Sequence, residues 1–201
     1  MAKKHSKGGN GKLNGVIKNN VSKTLAVPQI QECKNKRQAL AQLRRMRLEI
    51  TFRSPNQERF YKEINTNEVT FCSGPAGCGK TFLAVFCALK ALGTKGSRYD
   101  GIVITKPLVE ANGEKLGYLP GNIEEKTEPF MWSFHYNIEQ IIGKYRMDVL
   151  LNESVIQVMP LAYMRGLTLA NKIVILDESQ NATPEQLKMF LTRIGEDSKF
   201  I

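Results

Sequence analysis

The chain has 201 residues, of which 42% are hydrophobic and 24% are charged, a balance typical of a soluble globular protein. A chain of this length can bury a hydrophobic core as one domain without disulfides or metals. Its longest uninterrupted apolar run, Phe82–Leu89, is far shorter than a membrane-spanning helix. The first dozen residues lack the apolar stretch of a secretory signal peptide. We therefore expect a soluble, cytoplasmic protein with no membrane segment.

The excess positive charge lies at the N-terminus. Residues 1–50 hold 12 of the 29 Lys and Arg residues but only two acids, Glu32 and Glu49, so they carry the whole net charge of +10. Residues 1–30 are rich in Lys, Gly and Asn without apolar periodicity, which predicts a disordered basic arm. Such an arm can condense onto phosphate polymers and would make binding depend on salt. The alternative is a solvated tail that only maintains solubility.

The four cysteines give no metal-binding pattern. Cys33, Cys72, Cys78 and Cys87 form no C-x-x-C pair, and no pair of histidines lies near them. We therefore expect neither a zinc site nor a disulfide framework. Most of these cysteines are predicted to be small buried apolar residues.

An amphipathic segment follows the arm. Between Glu32 and Ile50, apolar residues recur at three- and four-residue spacing, which predicts a basic helix. We assign residues 31–53 to this helix and a linker. A helix of this kind packs on its own domain more often than it binds a partner.

From residue 54 to residue 201, strand-like and helix-like segments alternate. The predicted strands are Val69–Ser73, Gly101–Thr105, Val155–Met159 and Ile173–Leu176, and Ser198–Ile201 is predicted to start another. The predicted helices are Phe82–Leu92, closed by Gly93, and a helix that runs from the capping box of Thr183, Pro184 and Gln186 to about Ile194. Residues 106–142 are predicted to form a loop and one helix. This alternation indicates a parallel sheet with helices on both faces.

A glycine-rich sequence between the first strand and its helix matches the phosphate-loop pattern G-x-x-x-x-G-K-[ST]. Its residues are Gly74, Pro75, Ala76, Gly77, Cys78, Gly79, Lys80 and Thr81. Glycines let backbone N–H groups turn toward a polyphosphate, and the helix N-terminus adds its positive dipole end. Lys80 is expected to contact the β and γ phosphates, and the Thr81 hydroxyl is expected to bind Mg²⁺. A glycine-rich turn without a ligand is the less favoured alternative.

Two acids follow the last long strand. Asp177 and Glu178 come directly after Ile173–Leu176, at the sheet edge where parallel α/β folds bind ligands. Asp177 is expected to complete the Mg²⁺ site, as the Walker B aspartate does, and Glu178 to orient and deprotonate an attacking water. By itself, a strand that ends in two acids usually just reaches solvent.

Gln57 has two interpretations of equal weight. Its amide can both donate and accept a hydrogen bond, so it could recognise the edge of adenine. Ser54 and Gln57 also form a capping-box pattern, with Pro55 at the first helical position. Both interpretations can hold together.

These motifs together resemble the PhoH family over residues 54–201. The resemblance is carried by residues 74–81, Lys106-Pro107, Gly113–Gly121, Pro160–Gly166, Ile175–Asn181 and Thr183–Gly195. It implies a RecA-like P-loop NTPase fold with three layers, related to superfamily 1 helicases, that binds ATP. Some relatives fuse this core to a ribonuclease domain, which implies RNA as a partner. RecA-like cores often assemble into rings, so a homo-oligomer is also expected.

The sequence departs from the family pattern at four positions: Cys78 for Thr, Lys106 for Arg, Leu167 for Arg, and Ser179 for Ala. The family's next motif, a strand with Gly-Asp and then Gln that senses the γ phosphate, would lie past Ile201. We therefore expect the domain to be truncated at its C-terminal end.

Two further groups of residues have open roles. Arg165 and Arg193 are candidate arginine fingers, although a surface or packing role is favoured for each alone. Alternating aromatic residues could stack nucleic-acid bases, although core packing is the commoner fate. They are Phe130, Trp132, Phe134 and Tyr136.

The function favoured by the sequence is Mg²⁺-dependent ATP binding and hydrolysis coupled to the handling of single-stranded RNA. The first alternative is a non-catalytic ATP-binding switch or partner subunit, because the sensor motif is missing. A small-molecule kinase is a weaker third hypothesis, because no acceptor pocket or lid arginines can be identified.

Overall fold

The computed structural model describes residues 35–107 and 123–201, with the side chains of 123–131 left out. The predicted arm, residues 1–30, and the motif Gly113–Gly121 lie outside the described residues.

Six α-helices and four β-strands make up the described chain. The helices are α1 (Lys36–Arg45), α2 (Pro55–Thr66), α3 (Lys80–Gly93), α4 (Ile123–Ile142), α5 (Lys144–Asn152) and α6 (Pro184–Leu191). The strands are β1 (Gly101–Lys106), β2 (Ile156–Pro160), β3 (Lys172–Leu176) and β4 (Lys199–Phe200). Short 3₁₀ turns cover Leu161–Met164 and Ser179–Asn181. In the part of the chain that the structure describes, no helix is long and apolar enough to cross a membrane.

The strands form one parallel sheet in the order β2-β1-β3-β4. Ile102 and Ile104 pack into a core with α1, α3, α4 and α5, whereas Val103 between them packs with α6 on the opposite face. Alternate residues of a strand point to opposite faces, so helices cover both sides of the sheet. The predicted α/β fold is thereby confirmed.

The predicted strand Val69–Ser73 is wrong in extent. Only Val69 pairs, as an isolated parallel bridge to Phe200, and the Thr70 N–H donates to the Phe200 carbonyl at 2.9 Å. Because β4 contains two residues, the ladder that it offers is too short to extend the strand. The segment still fixes the approach to the phosphate loop.

The first helix is also shorter than predicted. It ends at Arg45 because Met46 is extended, with ψ 133°. Leu48 and Ile50 then alternate with exposed neighbours and pack against the cluster that α2 and α3 form. Spacing that suits a helix thus serves an extended segment instead. Helix α5, which follows Gly143 with its positive φ of 81°, was not predicted.

Candidate functional site

The phosphate loop connects the Val69 bridge to α3. Gly77 (φ 75°) and Gly79 (φ 90°) adopt left-handed conformations that side-chain-bearing residues rarely take. Gly79 is also the N-cap of α3, and no side chain caps this helix. The first N–H groups of a helix have no partner within the helix. The loop therefore presents backbone donors at a positive helix end, as an anion site requires.

Lys80 lies inside the curve of the loop. Its Nζ donates to the carbonyl oxygens of Gly74 at 2.8 Å and Pro75 at 2.9 Å, and lies 3.8 Å from Cys78 Sγ. An ammonium group has three donors. Two of them hold the side chain against the loop, and the third points toward a weak sulfur acceptor that a phosphate oxygen could replace.

Thr81 and Asp177 meet although they are distant in sequence. The Thr81 hydroxyl donates to Asp177 Oδ1 at 2.9 Å, and the Asp177 N–H donates to the Thr105 carbonyl at 2.9 Å. Burial raises the pKa of Asp177, while the Thr81 hydrogen bond acts in the opposite direction. A half-buried carboxylate beside a hydroxyl is a set of hard oxygen donors of the kind that Mg²⁺ prefers. These two residues therefore fit a Mg²⁺ site.

Glu178 has a strained backbone at the end of β3. It is left-handed, with φ 53° and ψ 37°, a conformation that costs a non-glycine residue about 1–2 kcal/mol. Its side chain is exposed and accepts a hydrogen bond from Gln180 Nε2. Strain of this kind concentrates at functional sites. Glu178 lines the same cleft as Thr81 and Asp177, and its carboxylate is held by a neighbouring amide.

Gln57 bridges α2 to the loop. Its Nε2 donates to the Cys78 carbonyl at 3.0 Å, and its Oε1 accepts from the Arg53 N–H at 2.7 Å. The Ser54 hydroxyl accepts a hydrogen bond from the Gln57 N–H at 3.3 Å, so this half of the predicted capping box is present. The other half differs, because the Gln57 side-chain oxygen bonds to the backbone N–H of Arg53 and not to that of Ser54. In this structure the amide supports the loop.

Lys106 interacts electrostatically with the two acids of the site, although the sequence analysis gave it no role there beyond its place in the family motifs and its departure from the usual Arg. It ends β1, and its Nζ lies 5.8 Å from the centre of the Phe134 ring. Burial lowers its pKa, whereas Asp177 and Glu178 raise it. The signal that could have found it is its position at the carboxyl end of an interior strand, where α/β sheets bind ligands.

A cleft of about 350 Å³ opens beside the loop. Gly77, Lys80 and Thr81 line one side, with Asp177 and Glu178 also at its wall. Phe60, Val69, Phe190 and Phe200 give it an apolar portion. The wall of the cleft therefore contains both charged and apolar side chains.

The candidate arginines lie elsewhere. Arg193 donates from Nη1 to the Leu167 carbonyl at 3.1 Å and from Nε to the Met189 carbonyl at 3.2 Å, which is a packing role. Arg165 is exposed. Neither of these described residues lines the cleft.

The predicted aromatic group divides. Phe134 is fully buried in the core, whereas Trp132 and Tyr136 are exposed by 67% and 64%. The side chain of Phe130 lies outside the described residues. The i, i+4 spacing places Trp132 and Tyr136 on one face of α4, away from the buried Phe134.

The expectation that most cysteines are buried is not met among the three described ones. Cys87 is buried, Cys78 is half-buried and Cys72 is exposed. Cys72 precedes the phosphate loop and Cys78 lies within it, whereas Cys87 lies on the buried part of α3. Within residues 35–107 and 123–201, no cluster of three or more His, Cys, Asp or Glu residues could hold a metal.

Comparison with known proteins identifies the family. The PhoH-like protein family matches residues 49–201. A PhoH-like protein of Synechocystis sp. is 48% identical over 151 residues, covering 75% of this chain and 44% of that protein. A PhoH-like protein of Bacillus subtilis is 43% identical over 152 residues, covering 76% and 47%. Protein PhoH of Escherichia coli is 40% identical over 150 residues, covering 74% and 42%.

The chain thus spans less than half the length of these relatives. The family match covers most of this chain and includes the phosphate loop, Asp177 and Glu178. The chain therefore belongs to the PhoH family.

Proposed function

We propose that this protein binds ATP with Mg²⁺ in the cleft beside residues 74–81 and hydrolyses it. The observation that carries the proposal is the 2.9 Å hydrogen bond between Thr81 and Asp177. It joins the start of α3 to the end of β3, which is where a phosphate-bound Mg²⁺ needs a hydroxyl and a carboxylate.

Each part of the site has a distinct task. The uncapped N-terminus of α3 and Lys80 bind the negative triphosphate, and the Lys80 contacts with two loop carbonyls hold its ammonium in place before the ligand arrives. Thr81 and Asp177 would hold the metal. When bound, Mg²⁺ neutralises charge on the β and γ phosphates.

Glu178 is the proposed general base. It orients a water for attack on the γ phosphorus and takes its proton. Its carboxylate must exchange the Gln180 hydrogen bond for a water, and its exposed position allows this exchange.

The hydrogen bond between Gln180 and Glu178 favours a second candidate function, an ATP-binding switch without turnover. If Glu178 stays bonded to Gln180, the nucleotide is held but not hydrolysed. The two functions therefore differ in turnover and agree in binding.

The proposal extends to single-stranded RNA as a partner. Support comes from the basic segment 1–50, which carries the whole net charge of the chain. Lys and Arg side chains in such a segment attract the phosphates of a nucleic acid. Assembly into a homo-oligomeric ring is a further part of this proposal. A ring would bring several basic segments together around one RNA. The affinity for RNA is therefore expected to fall as the salt concentration rises.

The test is steady-state hydrolysis of Mg-ATP, with and without single-stranded RNA, together with nucleotide binding. We expect Glu178→Gln to lose turnover and keep binding, and Lys80→Ala to lose binding. The matched control is Glu196→Gln, because Glu196 is exposed. Its backbone carbonyl accepts a hydrogen bond from the Asn171 N–H, which precedes β3, so Glu196 lies near the start of this strand whereas Glu178 follows its end.

The outcomes separate the candidates. Turnover that Glu178→Gln abolishes and Glu196→Gln preserves supports the ATPase, and stimulation by RNA supports the RNA partner. Tight binding without turnover in the unmodified protein supports the switch. Equal turnover in the Glu178 variant and the unmodified protein would exclude Glu178 as the base.

A further inference from the structure

Helix α1 carries three exposed arginines on one face. They are Arg37, Arg44 and Arg45, and at 3.6 residues per turn they fall within an arc about 100° wide. The opposite side of the helix is buried, with Ala39 and Leu43 packed into the core. The sequence of α1, KRQALAQLRR, contains no acidic residue. The outer face of this helix is therefore purely cationic.

The arginines of this face have no acidic partner. On α2 and α5, by contrast, Arg59, Lys62 and Lys144 each lie within 4.0 Å of an acid one turn away on the same helix. The three arginines of α1 form no ion pair or side-chain hydrogen bond with any residue in the described part of the chain. Their charge is therefore available to an anion from outside.

The stability of the helix does not explain Arg37. Cations stabilise the last turn of a helix, where Arg44 and Arg45 lie, but they are unfavourable in the first turn, beside the positive end of the dipole. Lys36 in that turn has a partner in Asp100 at 3.7 Å. Arg37 has none, and the first turn contains no acid. An anionic ligand would give Arg37 a role that the helix itself does not.

The type of cation favours phosphate as the ligand. Among the Lys and Arg residues, all those before residue 35 are Lys, whereas all six from Arg37 to Arg59 are Arg. A guanidinium group binds phosphate through two parallel hydrogen bonds and loses its hydration more readily than an ammonium group. Arg37 and Arg44 are two turns apart, or about 10 Å, which matches about three phosphate intervals of a strand that rises about 3.4 Å per nucleotide.

An anionic membrane fits this face less well than a nucleic acid does. A helix that binds a membrane surface inserts large apolar side chains between the lipids. The buried apolar residues of α1, Ala39 and Leu43, pack into the protein core. On the arginine face the apolar contribution is Ala41, which is too small to anchor the helix in lipid.

We propose that Arg37, Arg44 and Arg45 form a phosphate-binding face for single-stranded RNA on the folded domain. The inference rests on the RNA partner proposed above and gives that partner a defined surface. Helix α1 is held in place because it packs on α3, where Leu43 meets Gly93. A fixed helix presents its arginines in one arrangement, so less conformational entropy is lost on binding than for a free segment.

The experiment titrates a fluorescent polyuridine strand with the full chain and measures anisotropy at several salt concentrations. The test variant replaces Arg37, Arg44 and Arg45 by Gln. The matched control replaces Arg59, Lys62 and Lys144 by Gln, since these side chains are also exposed and the net charge changes equally. Thermal unfolding shows whether each variant is folded.

Arg37→Gln alone is a second variant, because it removes a cation from the unfavourable end of the helix dipole and should leave α1 intact. Its result decides the question if the triple variant fails to fold.

Each phosphate contact on a single strand contributes about 0.7 to the slope of log K against log salt. The slope should therefore become shallower by about 2 in the triple α1 variant and by about 0.7 in Arg37→Gln. We expect Kd to rise about tenfold or more in the triple variant at low salt. The control variant should keep the slope of the unmodified protein.

A Kd and a slope that are the same in the triple α1 variant and the control would overturn the inference, and the RNA contact would then lie outside α1. Vesicles that contain phosphatidylserine provide a separate comparison. Binding of the unmodified chain to these vesicles but not to RNA, with loss in the α1 variant, would overturn RNA in favour of a membrane.

Failure of the RNA partner itself gives a different result. In that case the unmodified protein and the control bind no polyuridine even at low salt, which overturns both the RNA partner and its proposed surface. Binding and hydrolysis of Mg-ATP are measured without RNA, so the proposed ATP site stands or falls independently.

Discussion

Replacing Gln57 by Met tests whether its amide supports the loop or recognises the base. The change removes the 3.0 Å bond to the Cys78 carbonyl and the 2.7 Å bond from the Arg53 N–H, and it keeps the length of the side chain. Each such hydrogen bond contributes about 0.5–1.5 kcal/mol net. Only the bond to Cys78 acts directly on the loop.

The expected loss of nucleotide affinity is therefore about 1 kcal/mol, which corresponds to a roughly fivefold higher Kd. Because a loop that has lost its support binds every triphosphate less well, Kd should rise by the same factor for ATP and GTP. Titration with fluorescent analogues of both nucleotides measures the two values.

Ser54→Ala is the matched control for this experiment. It removes the cap at the Gln57 N–H and lowers helix stability by about 1 kcal/mol, but it leaves the Gln57 amide in place. We expect little change in either Kd. A Gln57→Met protein that weakens ATP alone and binds GTP as before would refute loop support and favour recognition of adenine.

Three more predictions concern stability and reactivity. Gly195→Ala should lower the free energy of unfolding by more than about 2 kcal/mol, since its Cβ would lie 2.8 Å from neighbouring backbone atoms. The control is Gly96→Ala, where φ is +77° but no atom lies within 4 Å of the added Cβ, and it should lower this free energy by about 1 kcal/mol. Thermal unfolding of the two variants measures the difference. Cys87, whose pKa burial raises to about 12, should resist a thiol reagent at pH 8 until the protein is denatured. Asp177→Asn should raise the melting temperature measured without Mg²⁺, because burial raises the pKa of Asp177 and its charge therefore opposes folding at neutral pH. The control is Asp148→Asn, since the Asp148 side chain is 44% exposed and pairs with Lys144 on the protein surface.

Each of these has an outcome that contradicts it. Equal losses in the two glycine variants would remove the steric argument at Gly195. Rapid labelling of Cys87 in the folded protein would show that α3 opens readily. A lower melting temperature in Asp177→Asn would mean that the ionised carboxylate stabilises the fold.

The sequence predicts the local geometry of the candidate site where the signal lies within a few residues. The glycine pattern places Gly77 and Gly79 at the positions that need left-handed backbone, and the order of strand and acid places Asp177 beside Thr81. The glycine conformations depend on the loop sequence alone. The position of Asp177 depends on the order of the strands in the parallel sheet. The hydrogen bond that joins Thr81 to Asp177 follows from the topology.

What escaped prediction depends on distant partners. The extent of the strand at Val69 depends on how much of β4 lies beside it. The end of α1 depends on the groove that Leu48 and Ile50 fill, since the same residues fit either a helix or an extended chain. The orientation of the Gln57 amide depends on a carbonyl 21 residues away.

Helix α3 has a consequence for how the loop can move. From Leu83 to Leu89 every residue of this helix is buried, and it packs against α1, α2 and α4. A close-packed helix has no free volume in which to bend or slide by itself. A displacement at its first turn is therefore transmitted along its axis as a whole. If a ligand displaces Lys80 and Thr81 at one end of α3, we expect the other end, where Gly93 meets Leu43, to move with them.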